Sequence, residues 1–273
     1  LPPQSVRKRK LNTMIPAFIR KRWYKWTEGR IQLPLIHGVQ TERLGSPYGG
    51  WIIPKNFLKP SAVAFLVGAG EDISFDLELA ARSGCAVHIF DPTPRAIQHV
   101  EQTVQFIKKG ASAPCNTCTG GFYPEYPPTL PELLHMHPVG LWHEDTVLRF
   151  FTPLNEAHVS HSIVNLQGSS SAIEVPVRRL SNIMEELQLN RLGLLKIDIE
   201  GAEYQVLDAL LEDRLKVDVL CIEYDESAAH HLDAHYMQRI RKSLSDLVDT
   251  GYKLLAKEPD CHNYTLMHQR CLA

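Results

Sequence analysis

Apolar residues fall in short unbroken runs along the middle of the chain, each closed by a glycine or an acid. Ala62-Val63-Ala64-Phe65-Leu66-Val67 ends at Gly68, Ala86-Val87-His88-Ile89-Phe90 at Asp91-Pro92, Leu194-Leu195-Lys196-Ile197 at Asp198, and the run over 217–223 at Glu223. Such runs lack the alternation of a half-exposed strand and read as strands buried on both faces, as in a parallel sheet. Between the first two, Phe75, Leu77, Leu79 and Ala80 predict a helix that Asp72 can cap and Gly84 stops. From about Pro94 to Lys109, Ala96, Ile97, Val100, Val104 and Ile107 recur at helical spacing, and Gly110 ends the segment. Further helices are expected near 180–189, over 201–212 and near 234–249. Strand–helix alternation at this rhythm implies an α/β fold with right-handed crossovers.

The pattern breaks over 111–135, where Pro114, Pro124, Pro127, Pro128 and Pro131 predict an inserted irregular loop. Val139-Gly140-Leu141-Trp142, read as the third core strand, and Val147–Phe151 predict a strand pair around a His143-Glu144-Asp145 turn. Ile173–Val177 is extended, and Pro176 points to an edge strand. Residues 251–255 and 263–267 predict a closing antiparallel pair. One α/β domain is expected over 51–273, with residues 1–50 as an extension.

The chain has 273 residues, 44% of them hydrophobic and 22% charged, which excludes wholesale disorder. No run of about 18 apolar residues is present to predict a membrane span. A net charge of −2 argues against a bulk nucleic-acid binder, and no sequence-specific nucleic-acid partner is expected. The charge is uneven. Residues 7–30 carry Arg7, Lys8, Arg9, Lys10, Arg20, Lys21, Arg22, Lys25 and Arg30 against Glu28. Such an arm suits a membrane surface or an acidic partner, or is a solvated leader. The chain opens on Leu1 rather than Met, leaving room for a removed signal or anchor; a cytoplasmic location is the expectation. Oligomeric state is not legible.

In an open α/β sheet, ligands bind beyond the carboxyl ends of the strands. That places Gly68, Ala69, Gly70, Glu71, Asp72, Asp91, Pro92, Asp198, Glu200 and Glu223 among the candidates, although such acids also serve as helix caps. Gly68 and Gly70 let backbone approach a ligand, and Asp91 follows at the spacing of a ribose-binding carboxylate. The dinucleotide fingerprint needs a small third residue where this chain has Ile73. Glu71 and Asp72 would oppose a pyrophosphate. The turn suits a phosphate-free nucleoside with a cationic tail, and S-adenosylmethionine has that chemistry. In Asp198-Ile199-Glu200-Gly201-Ala202-Glu203, three acids at one strand end can hold an amino group, orient a hydroxyl, bind a divalent ion or cap a helix.

Leu195-Lys196-Ile197-Asp198-Ile199-Glu200-Gly201-Ala202-Glu203-Tyr204 closely resembles the signature of the FkbM-type methyltransferases. Gly68–Asp76, Phe90–Pro94 and Gly49-Gly50-Trp51-Ile52-Ile53-Pro54 resemble the cofactor half of that family, and the likeness covers about residues 45–270. It implies a class I methyltransferase (Rossmann-like) fold: a seven-stranded, mostly parallel sheet with its last strand antiparallel and helices on both faces. It implies S-adenosylmethionine as cofactor and O-methylation of a sugar, glycan or small metabolite. Carried onto this chain, Gly68, Gly70, Glu71 and Asp91 serve the cofactor, and Asp198, Glu200 and Glu203 face the cleft. The insert at 111–135 departs from the family pattern.

Methyl transfer to a hydroxyl calls for an aligned nucleophile and a base. Candidate bases are Asp198, Glu200, His161 and His158, the two histidines lying in a polar segment with apolar anchors. A divalent ion is not expected. Tyr48 and Trp51 are candidates to close over cofactor or substrate, and Trp142 to lie against adenine; each is also a plausible core aromatic. Cys115-Asn116-Thr117-Cys118 lacks the spacing of a zinc module and is expected to hold two free thiols. The competing readings are an NAD-dependent Rossmann oxidoreductase and a non-catalytic interaction protein.

Overall fold

The computed structural model describes residues 31, 33–151, 172–199, 201–224, 236–258 and 261–272. A hairpin of β1 (Thr41–Leu44) and β2 (Trp51–Pro54) precedes β3 (Val63–Val67), α1 (Ser74–Ser83), β4 (Ala86–Phe90), α2 (Pro94–Lys108) and β5 (Leu134–His137). Then come β6 (Gly140–Trp142), β7 (Thr146–Phe151), β8 (Ala172–Arg179), α3 (Leu180–Glu186), β9 (Leu192–Ile197), α4 (Glu203–Glu212) and β10 (Val217–Glu223). The last elements are α5 (Tyr236–Asp249), β11 (Tyr252–Lys257) and β12 (Asn263–His268).

Seven strands form one sheet in the order β11-β12-β10-β9-β3-β4-β5. Neighbours from β10 to β5 are parallel, while β12 runs antiparallel between β10 and β11. The order reverses between β3 and β9, the switch point at which an α/β sheet opens a crevice.

Strand periodicity divides the core into two layers. Phe65 and Val67 of β3, Leu195 and Ile197 of β9, and Leu220 and Ile222 of β10 face α3, α4 and α5. Ala64, Leu66, Leu194, Val219 and Cys221 face the opposite way, with Phe75 and Leu77 of α1 and Ala96, Val100 and Ile107 of α2. Burying each large apolar side chain contributes roughly 1.5–3 kcal/mol, so these layers hold the strand ends in fixed relation. Among the described residues, no helix is long and apolar enough to cross a membrane.

Four sequence expectations are corrected. The third core strand is Leu134–His137, not Gly140–Trp142; its histidine-rich sequence hides a strand lying at the sheet's edge. Strands β6 and β7 do not pair with each other, because β8 lies between them in a separate three-stranded sheet. Pro176 is therefore in a central strand; its missing N–H is tolerated because the pairing of β8 with β6 begins one residue later, at Val177. The boundary expected at residue 50 falls inside the β1–β2 hairpin, whose Leu44 and Trp51 are buried in the core.

The insert is irregular over 111–129, as expected, then passes through a 3-10 turn at Leu130–Leu133 into β5, and it is packed against the core. Ala113, Cys115, Tyr123 and Leu130 are buried against α1 and α2. Cys115 and Cys118 are joined in a disulfide, which overturns the expectation of free thiols.

Candidate active site

A cavity of about 530 Å³ opens beyond the carboxyl ends of β3, β4, β9 and β10. Its described lining includes Glu71, Asp72, Asp91, Asp198, Glu223 and Glu258, and Lys196 is the sole cation among the described lining residues.

The turn after β3 has little room for side chains. Gly68 has φ +86°, and a Cβ there would stand 1.7 Å from the Asp198 carbonyl oxygen. Only glycine lets the ends of β3 and β9 approach so closely. Gly70, at φ +52°, has open space beyond it.

Asp91 shapes this turn from the end of β4. Its Oδ2 accepts the N–H groups of Ala69 and Gly70 at 3.0 and 3.1 Å, and its Oδ1 accepts the Thr93 N–H and hydroxyl at 2.9 and 2.6 Å. A carboxylate offers about four acceptor positions, and the protein occupies all of them. These bonds brace the glycine turn, and Asp91 also lines the cavity where the sequence places a ribose.

The two acids of the turn are also engaged. Glu71 lines the cavity while its carboxylate pairs with Arg95 at 2.8 Å, which lowers the negative charge the sequence implied there. Asp72 Oδ2 accepts the Ser46 and Thr117 hydroxyls at 2.6 Å each, and its Oδ1 accepts the Ser74 N–H at 2.8 Å in a turn that leads into α1, whose N-cap is Ile73. Burial pushes the Asp72 carboxyl up, but these hydrogen bonds outweigh it and hold the group below the usual carboxylate range.

Across the cavity, Lys196 escaped the sequence-based choice of site residues. Its signal was a lone charge inside an otherwise apolar strand. Alternation along β9 turns it toward the α1 face, where its Nζ donates to the Gly68 carbonyl at 2.8 Å and pairs with Asp198 Oδ2 at 3.1 Å. Burial pulls the ammonium down, but Asp198, Asp76 and Glu223 together keep it above the ordinary lysine value. Asp76 on α1 is fully buried, and burial, partly offset by Lys196, pushes its carboxyl up to about 6. The Asp198 side chain remains 35% exposed.

Pro92, Tyr48 and Trp51 also line the cavity: Trp51 is buried, and Tyr48 is 79% exposed at the mouth. Glu223 lines it too, and its Oε2 accepts from the Asn263 amide at 3.1 Å. Two expected contacts lie elsewhere. Glu203 is buried, and its carboxylate accepts the Gly201 N–H at 3.0 and 3.1 Å, so it shapes the start of α4. Trp142 belongs to the small sheet and packs beside His143, while Gly140 and Leu141 of the same strand reach the cavity. Glu200, His158, His161 and the basic segment 7–30 lie outside the described residues.

The strand order, with its antiparallel β12 between β10 and β11, is that of the class I methyltransferase fold. Residues 67–254 match the methyltransferase FkbM domain, and the chain belongs to that family. It is 31% identical over 103 residues to Methyltransferase 1 of Beauveria bassiana, a stretch covering 37% of this chain and 38% of that protein. The chain thus spans well under half of this relative's length. Similar solved structures include an rRNA methylase from Streptococcus thermophilus, at 13% identity and TM-score 0.39, covering 77% of this chain and 87% of that one. Another is the N-terminal domain of human METTL16 in complex with SAH, at 11% identity and TM-score 0.37, covering 93% and 71%.

Proposed function

We propose that the protein transfers the methyl group of S-adenosylmethionine to a hydroxyl of a neutral sugar, glycan or small metabolite. The observation that carries this reading is the charge of the cavity: acids line it, and its one described cation is consumed by Gly68 and Asp198. Such walls fit a nucleoside bearing an ammonium and a sulfonium, and oppose the pyrophosphate of a dinucleotide or the backbone of a nucleic acid.

When bound, the cofactor supplies an activated methyl carbon for in-line displacement. The chain's own residues do the rest. The Gly68–Gly70 turn, braced by Asp91, lets backbone approach the nucleoside. Lys196 orients Asp198 from below, and the exposed part of that carboxylate holds a cationic amine or accepts the acceptor's hydroxyl proton. Glu223, fixed by Asn263, adds a second acceptor for hydroxyl groups at the end of β10. Trp51 gives the cavity a buried apolar wall, and Tyr48 stands at its mouth.

Calorimetry with S-adenosylhomocysteine and NAD tests the cofactor, and transfer of labelled methyl onto glycan, metabolite and RNA pools tests the acceptor. Binding of S-adenosylhomocysteine alone, with label in neutral hydroxylated acceptors, is expected. Preference for NAD, or label confined to RNA, would overturn the reading.

A further inference from the structure

We propose that the disulfide-closed loop Cys115-Asn116-Thr117-Cys118 forms one wall of the cofactor cavity, and that its reduction weakens cofactor binding by loosening the hold of Thr117 on Asp72. The inference rests on the methyltransferase reading above. Asn116 and Thr117 line the cavity, although they come from the insert that departs from the family pattern. Thr117 is a positioning residue: its hydroxyl donates to Asp72 Oδ2 at 2.6 Å, and Asp72 in turn accepts the Ser74 N–H at the start of α1.

Both ends of the loop carry backbone hydrogen bonds besides the sulfur bond, and the Cys115 end is the more deeply seated. Cys115 is buried, its N–H donates to the Gly121 carbonyl at 3.0 Å, and nearby Tyr123 accepts the Ile73 N–H at 3.0 Å. The Cys118 end is half-buried; its carbonyl accepts the Gly121 N–H at 3.0 Å, and the disulfide ties its side chain back to Cys115. The Cys115 sulfur lies 3.3 Å from the Thr117 hydroxyl oxygen. A disulfide sulfur carries no proton, so the hydroxyl's single proton goes to Asp72. Without the cross-link the loop regains backbone freedom, and Thr117 is no longer held against Asp72.

The chemistry is ordinary thiol–disulfide exchange with a dithiol reductant. Its thiolate bonds to the more accessible Cys118 sulfur as the S–S bond breaks and Cys115 leaves as thiolate. The reductant's second thiol then displaces Cys118. Two electrons and two protons pass to the protein, and the reductant departs as its own disulfide.

The test is S-adenosylhomocysteine affinity of the full chain, oxidised and after dithiothreitol with a chelator present. The chelator prevents metal capture by the reduced sulfurs and Asp72, whose ligand atoms lie within 4.8 Å of one another. Reduction is expected to weaken binding about fivefold, the order of one lost hydrogen bond. C115S/C118S should bind weakly whether or not reductant is present. Thr117→Val should do the same, while Thr117→Ser restores the affinity. In the ligand-free protein, hydrogen exchange at the Ser74 amide should speed up on reduction. Equal affinity in both redox states, or unchanged Ser74 exchange, overturns the inference. Absence of binding in both states instead refutes the cofactor reading, and this inference with it.

Discussion

The turns after β3 and β9 lie side by side at one cavity, both at the ends of buried strands, yet they use their carboxylates in opposite ways. At the first, Asp91 and Asp72 are consumed by protein donors and the glycines supply the approach. At the second, Asp198 is held on one side by Lys196 and stays one-third exposed on the other. An acid at a strand end is thus equally able to build a site or to act in it. The number of donors around it decides which.

The largest way to break this contrast is at the point where the turns touch. Gly68→Ala would drive a methyl into the Asp198 carbonyl and impose an unfavourable φ. It is expected to cost about 3 kcal/mol or more and to abolish cofactor binding, as read by thermal melting and calorimetry. Lys196→Met leaves Asp76 and Asp198 without their cation and should cost about 3 kcal/mol in denaturant unfolding, because a buried charge loses its partner. A cost below about 1 kcal/mol would show that Lys196 does not link the two turns.

Asp76 gives a pH test of the same buried cluster. Its folded value of about 6 lies above the ordinary carboxylate range, so the folded state binds this proton more tightly. Its contribution to stability is therefore present at low pH and is lost as pH rises from about 4 to about 6, by up to about 3 kcal/mol. Asp76→Asn should flatten unfolding curves across that window. The finest comparison pairs Asp91→Asn with Asp198→Asn. A carboxamide at 91 turns an NH₂ toward N–H donors and should cost about 1–2 kcal/mol and about tenfold in cofactor affinity. At 198 the same change should cost under about 1 kcal/mol but slow turnover about a hundredfold. Equal stability losses in the two variants would erase the distinction.

The amino-acid pattern alone determined the four central strands, the helices between them, and the placing of Gly68 and Asp198 at the strand ends. These follow from unbroken apolar runs and from glycine's freedom, both local properties. It missed Leu134–His137, because an edge strand half open to solvent needs no apolar run, and it misplaced Trp142 as a result. It named Asp91 and Glu203 without choosing between ligand contact and structural support, and passed over Lys196. Tertiary structure alone decided how many donors meet each carboxylate, which face of β9 the lysine takes, and that the Cys115–Cys118 loop folds back onto the glycine turn. Those outcomes depend on groups far apart in the chain, and spacing along the sequence carries no record of such encounters.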